Sequence, residues 1–185
     1  MRPAQLLIVS AALLAACSAD RPAASNAVTD GDPTMQLTST AFQEGADIPS
    51  KYTCDDRDIS PELAWSGVPE GTRSLALICD DPDAPMGTWV HWVAFNIPVS
   101  RTGIAAGEAS AALAANGIVE GLTSFGRTGY GGPCPPSGKH RYYFKLVALD
   151  TALALDSGAT KSSLIAAMEG HILARAQLMG RYSRI

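Results

Sequence analysis

Three histidines, His91, His140 and His171, are the only imidazoles in this 185-residue chain. Two of them stand beside segments rich in groups that hold or move protons. The first segment follows the apolar run Ser74–Cys79. Asp80, Asp81 and Asp83 place three carboxylates in four positions, with Pro82 and Pro85 among them. Such acids repel one another unless solvent, hydrogen bonds or a cation offset the charge, and the prolines stiffen the loop. The second segment is Trp89–Ile97 (WVHWVAFNI). On a strand, His91 shares a face with Trp89, Val93 and Phe95, and an imidazole there needs a polar partner. The third is Gly129–Tyr142 (GYGGPCPPSGKHRY), where glycine lets backbone amides approach a ligand and proline holds the loop. His140 and Tyr142 fall on one strand face and Arg141 on the other. Taken singly, these are a capped turn, a core histidine and a long turn with a basic rim. Taken together, they describe an anion pocket. In it a carboxylate from the Asp81 loop orients an imidazole, His91 being the obvious candidate.

Strands must carry these groups. Ser74–Cys79, Trp89–Ile97 and Arg141–Leu149 read as the three strong β runs, separated by Gly/Pro turn chemistry. Ser100–Gly117 is Ala- and Gly-rich and reads as a loop with a short helix. Ser162–Met179 reads as a helix, on which His171 is structural. Ile165, Met168, Ile172, Ala176 and Met179 fall near helical spacing, and Gly180 stands as the stop. No βαβ rhythm is present. The expected class is therefore mainly β, with an antiparallel body, peripheral helices and a C-terminal helix.

The chain begins with an address. Residues 1–16 (MRPAQLLIVSAALLAA) have a positive start and a short apolar stretch, the pattern of a secretory signal. The signal ends in Leu14-Ala15-Ala16-Cys17, which resembles the bacterial lipobox, so Cys17 is expected to carry the lipid. Ser18 after it favours the outer over the inner membrane. Residues 17–34 are small and polar and read as a tether, leaving 35–185 as the folded domain. No apolar run reaches the length of a membrane-spanning helix. The net charge of −4 argues against a nucleic-acid partner, which would call for clustered Lys and Arg.

The segments together resemble the phosphatidylethanolamine-binding protein (Raf kinase inhibitor protein-like) family, in its bacterial branch. Asp81-Pro82-Asp83-Ala84-Pro85 followed by Trp89-Val90-His91-Trp92 is similar to one family signature, and Gly138-Lys139-His140-Arg141-Tyr142 to another. Tyr52-Thr53-Cys54, Ile59-Ser60-Pro61-Glu62-Leu63 and Gly129–Pro136 are similar too. The resemblance implies a large antiparallel sheet packed on a smaller one. It also implies a cavity for phosphate-like groups, including phospholipid headgroups, built from Asp81, His91, Pro136, His140 and Tyr142. In that cavity both histidines would donate to the anion, Tyr142 would add a hydroxyl and Asp81 would hold a histidine. Affinity would fall as pH rises through the histidine range. No cofactor, metal or catalytic residue is implied, and a protein partner using the same pocket is an alternative.

Two rival chemistries use the same residues. Ser137, His140 and Asp81 are the right types for a hydrolase, but Ser137 lies three positions before His140 and no G-x-S-x-G elbow exists. Two histidines and an aspartate could hold a metal, yet no H-E-x-x-H or H-x-E pattern is present. With Cys17 acylated, Cys54, Cys79 and Cys134 remain. An oxidising envelope permits one bridge, but the segments holding Cys54 and Cys134 resemble those of cytosolic relatives, so free, buried thiols are expected.

Overall fold

A computed structural model describes residues 34–108 and 110–184. The leader, Cys17 and all but the last residue of the tether lie outside them. Five antiparallel strands form the large sheet, in the order β6-β4-β3-β7-β8: β3 is Ser74–Asp81, β4 Trp89–Ile97, β6 Val119–Glu120, β7 His140–Leu149 and β8 Ile172–Tyr182. A small sheet has the order β1-β2-β5, with β1 Gln36–Thr38, β2 Leu63–Ser66 and β5 Gly103–Ile104. Two helices, α1 (Ser110–Ala115) and α2 (Lys161–Met168), complete the described elements, with a 3-10 turn at Ser50–Tyr52. The mainly β, two-sheet expectation holds, and α1 is the short helix expected within Ser100–Gly117.

Apolar residues are buried on both faces of the large sheet. One face meets the small sheet, where Leu37, Leu63 and Trp65 pack with Leu75, Leu77, Trp92, Phe144 and Leu146. The other carries α2, whose Leu164 and Met168 pack on Ile78, Val93 and Phe95. β3 is consequently buried along its whole length, and for this reason its sequence is a continuous apolar run.

The C-terminal helix expected over Ser162–Met179 is corrected. Thr160 caps α2, its Oγ1 accepting from Ser163 N. The helix then ends at Met168, with Gly170 at φ +80° in the turn that follows. From Ile172 the chain is a strand paired with β7 as far as Tyr182. Ala174, Ala176, Leu178 and Tyr182 alternate toward the core, and a full ladder of β bonds outweighs the helix propensity of an Ala/Leu/Arg/Gln/Met stretch. Gly180 is no helix stop. It sits inside β8, where an added Cβ would lie 2.5 Å from Ile48 Cγ1 and 2.7 Å from Phe42 Cε2. His171 is not on a helix but in the exposed turn before β8, bonded through Nδ1 to Asp150 at 2.8 Å.

The cysteine expectation is corrected as well. Cys54 and Cys134 form a disulfide across 80 residues, and Cys79 is free and buried. Burial pushes the Cys79 thiol well above its ordinary value, so it is a small core side chain without thiolate character.

Candidate functional site

The three clustered carboxylates separate onto three different partners. Asp80 points to the α2 face of β3, where it is 1% exposed and pairs with Lys145 Nζ of β7 at 2.7 Å and with Lys161 of α2. Asp83 caps the loop onto β7. It accepts from the backbone N–H and Nε of Arg141 at 2.9 Å each and from its Nη2 at 2.6 Å. The Arg141 hydrogen bonds hold the Asp83 carboxyl at about 2. Asp81, on the opposite face of β3 from Asp80, is 3% exposed and meets His140. Strand alternation and a proline turn thus resolve the expected repulsion by giving each acid its own donors.

Asp81 uses both oxygens. Oδ1 accepts from Asp83 N at 2.8 Å, closing the turn, and Oδ2 lies 2.7 Å from His140 Nδ1. An ionised carboxylate only accepts, so His140 Nδ1 carries the proton. Asp81 therefore orients His140, whereas the sequence suggested His91 as its partner. The antiparallel β3–β7 register, with Asp80 opposite Tyr143, brings this pair together.

His91 is held differently. Its Nδ1 lies 2.6 Å from the carbonyl of Gly131, and its own carbonyl accepts from Gly131 N at 3.0 Å. A carbonyl can only accept, so His91 Nδ1 is also protonated. Burial lowers the pKa of His91 from the ordinary 6.5, opposed by the Gly131 hydrogen bond and the charges of Asp81 and Asp58. The expected face is half right. Cys79 pairs with Trp92 and Asp80 with Val90, which leaves His91 as the extra residue of a β-bulge. The bulge keeps His91 with Trp89 on the pocket side but sends Val93 and Phe95 to the α2 side.

Both imidazoles line one cavity of about 450 Å³. Asp81, His91 and His140 supply its polar floor. Pro85, Met86, Trp89, Phe125, Pro135 and Pro136 supply apolar walls, and Cys134 contributes to the rim. Phe125 packs edge-on against both Trp89 and His91, with centroids 5.4 Å away in each case. Met86 is almost fully exposed, at 96%. With Nδ1 engaged on both rings, Nε2 is the nitrogen each has left for an occupant. Pro136 is among the residues that line the cavity. Tyr142 does not line the cavity. It is fully buried beneath it, its ring 5.1 Å from that of His91, and its hydroxyl has no hydrogen-bond partner among the described residues. Burial, followed by the negative charge of Asp81, holds its phenol far above the ordinary value. Its ring packs on His91, where β7 enters the core one pair of residues beyond His140. Ser137 is exposed and lines a neighbouring hollow with Asp55, Tyr182 and Arg184.

The pocket wall is made of two distant segments fastened together. Tyr130 Oη donates to Tyr52 O at 2.9 Å, Cys54 N to Pro133 O at 3.1 Å and Gly132 N to Asp58 Oδ1 at 2.6 Å, beside the Cys54–Cys134 bridge. Asp58, Phe125 and Met86 are site residues that sequence reasoning misses. The place of Asp58 just before the Ile59–Leu63 motif is a hint; Phe125 and Met86 leave none, because each belongs to an irregular loop.

Comparison with known proteins agrees with this architecture. The family model described as phosphatidylethanolamine-binding protein matches residues 38–183. A UPF0098 protein of Methanothermobacter thermautotrophicus is 53% identical over 150 residues, covering 81% of this chain and 99% of the relative. One from Aquifex aeolicus is 47% identical over 157 residues, covering 83% and 91%. The crystal structure of a phosphatidylethanolamine-binding protein homologue from Chlamydia trachomatis aligns with a TM-score of 0.77 at 44% identity, over 83% of this chain and 99% of that one. Escherichia coli YbcL, described as a member of the mammalian family, aligns at 0.76 and 33%, over 82% and 99%. With its two-sheet fold and a motif match spanning nearly all the described residues, the chain belongs to the phosphatidylethanolamine-binding protein family.

Proposed function

We propose that the pocket binds a phosphate-type oxyanion, free or as a phospholipid headgroup, and that the protein acts by binding it. The observation that carries this reading is the pair of buried imidazoles, each tied down at Nδ1 and each lining the same cavity. A neutral ring so held presents Nε2 as an acceptor and, once protonated, as a charged donor. A hydrogen phosphate group suits both states, because its P–OH donates and its other oxygens accept. In a poorly hydrated pocket such bonds are stronger than in water. The apolar walls suit an occupant with a hydrocarbon portion beside the anion, which favours an ester over the bare ion. Binding is preferred to hydrolysis because Ser137 lies in a different hollow from His140.

The same reading places the protein in the bacterial envelope, anchored through acylated Cys17, with the outer membrane favoured. The leader and lipobox support this, and the Cys54–Cys134 bridge fits an oxidising compartment. Calorimetric titration with inorganic phosphate and phosphoethanolamine, beside flotation with phosphatidylethanolamine vesicles, tests the proposal. Wild type is expected to bind and His140→Ala to lose binding. Equal affinity of the two proteins for every probe refutes the pocket assignment. Capture of a phosphorylated protein in place of these probes would favour the alternative, a modulator of an envelope enzyme acting through the same site.

A further inference from the structure

The two imidazoles have unequal supports at first sight: a carboxylate for His140, a neutral carbonyl for His91. The carbonyl of Gly131 and the N–H of Gly132 belong to one peptide group, however. Its oxygen accepts from His91 Nδ1 at 2.6 Å, and its N–H donates to Asp58 Oδ1 at 2.6 Å. Acid, peptide and imidazole are therefore in series. A carboxylate bonded at the N–H end of an amide pushes electron density toward the carbonyl end, and hydrogen bonds in such a chain strengthen one another. We propose that Asp58 is the positioning residue of His91, holding and polarising the Gly131–Gly132 peptide so that His91 is supported by a carboxylate at one remove, as His140 is by Asp81 directly. The inference deepens the anion-binding reading and rests on it for its consequence in affinity.

Local structure shows that the arrangement is built. Asp58 takes a left-handed backbone at φ +53°, and Asp and Asn are the side chains that best tolerate that region. Residue 132 has to be glycine, since a Cβ there would lie 2.5 Å from Tyr52 O and 2.6 Å from Asp58 Oδ1. The other charged or titratable groups around His91 are Asp81 on β3 and His140 and Tyr142 on β7. Asp81 already gives both oxygens to Asp83 N and His140, which leaves Asp58 as the acid whose hydrogen bonding leads to His91.

The test is Asp58→Asn, which keeps an acceptor for Gly132 N–H and tolerates the same backbone but removes the charge. Nitrogen-detected NMR of the histidine rings is expected to show the His91 titration moving to lower pH, with the His140 titration unmoved. Inorganic phosphate at pH 6 should bind roughly five- to tenfold more weakly. If the Asp58→Asn protein does not fold, the wild-type protein still decides the matter. The Gly132 amide shift should then move together with the His91 ring signals as pH is varied. An unmoved His91 titration in Asp58→Asn, or a Gly132 amide that ignores His91, overturns the inference. Failure of the wild type to bind phosphate would sink the functional reading instead, while the ring titrations would still judge the relay.

Discussion

Replacing Asp81 with asparagine sets the two jobs of that side chain against each other. The carboxylate accepts from Asp83 N at 2.8 Å through one oxygen and from His140 Nδ1 at 2.7 Å through the other. Asparagine has one acceptor oxygen. If that oxygen serves Asp83, the amide NH₂ faces His140 Nδ1 and the ring must move its proton to Nε2. If it serves His140, an NH₂ faces the Asp83 N–H and the turn opens. Either way the charge-assisted bond to His140 is lost from a site 3% exposed. A hydrogen bond to a charged group contributes about 1.5–3 kcal/mol. We therefore expect a loss of unfolding free energy of about 2 kcal/mol in urea. Phosphate affinity at pH 6 should fall by about one to two orders of magnitude, because an imidazolium in the complex lacks its counter-charge. At pH 8 the deficit should shrink, since the altered tautomer offers Nε2–H as a neutral donor. Calorimetry at both pH values, with NMR of the ring nitrogens to assign the tautomer, measures all of this. A folded Asp81→Asn protein that binds phosphate within twofold of wild type at both pH values would refute the reasoning.

Other expectations concern protons, the bridge and the clamp. The pKa of His91 is held below 6.5 by burial, so the folded state resists protonation there. That contribution to stability is complete above pH 6.5 and is lost as pH falls below it. Sulfate, whose charge is constant over this range, should conversely bind more tightly as pH drops below 6.5; affinity that stays level from pH 5 to 8 contradicts this. The Asp83 carboxyl, at about 2, supports the loop at neutral pH. Its contribution wanes from about 3.8 downward, and Asp83→Asn should be less sensitive than wild type in an acid titration below pH 4. Opening the Cys54–Cys134 bridge, which spans 80 residues, by Cys→Ser exchange at both positions should lower stability by up to about 4.5 kcal/mol on chain-entropy grounds. Chemical denaturation checks the value, and an unchanged midpoint would mean the bridge constrains nothing. Gly132→Ala should cost about 1–3 kcal/mol and disturb the His91 ring signals, because its methyl meets Tyr52 O and Asp58.

The strands legible in the sequence are those buried on both faces or dense in aromatic and β-branched residues. β4 runs over Trp89–Ile97 as expected, and β3 and β7 differ from the reading only at their ends. The others were hidden for physical reasons. β1, β2, β5 and β6 have two to four residues each, too few to show a period. β8 is composed of good helix formers, and only its pairing along β7 makes it a strand. Its alternation of Ala174, Ala176, Leu178 and Tyr182 against Arg175, Gln177 and Arg181 is present in the letters but competes with a helical period of similar strength. The disulfide was equally out of reach, because spacing along a chain does not say which thiols meet in space.

The letters alone carry the family and four of the residues that line the cavity. Asp81, His91, Pro136 and His140 were all named from residue type and motif, and all line one cavity. What the tertiary structure decided is who holds whom. The antiparallel register of β3 and β7 assigns Asp81 to His140. The bulge at His91 turns that ring to the pocket and hands it to the Gly131 carbonyl. The course of β7 buries Tyr142 against the His91 ring. Hydrogen bonds act over about 3 Å, and contacts of that length between residues 40 and 59 positions apart exist only once the sheets have brought them together.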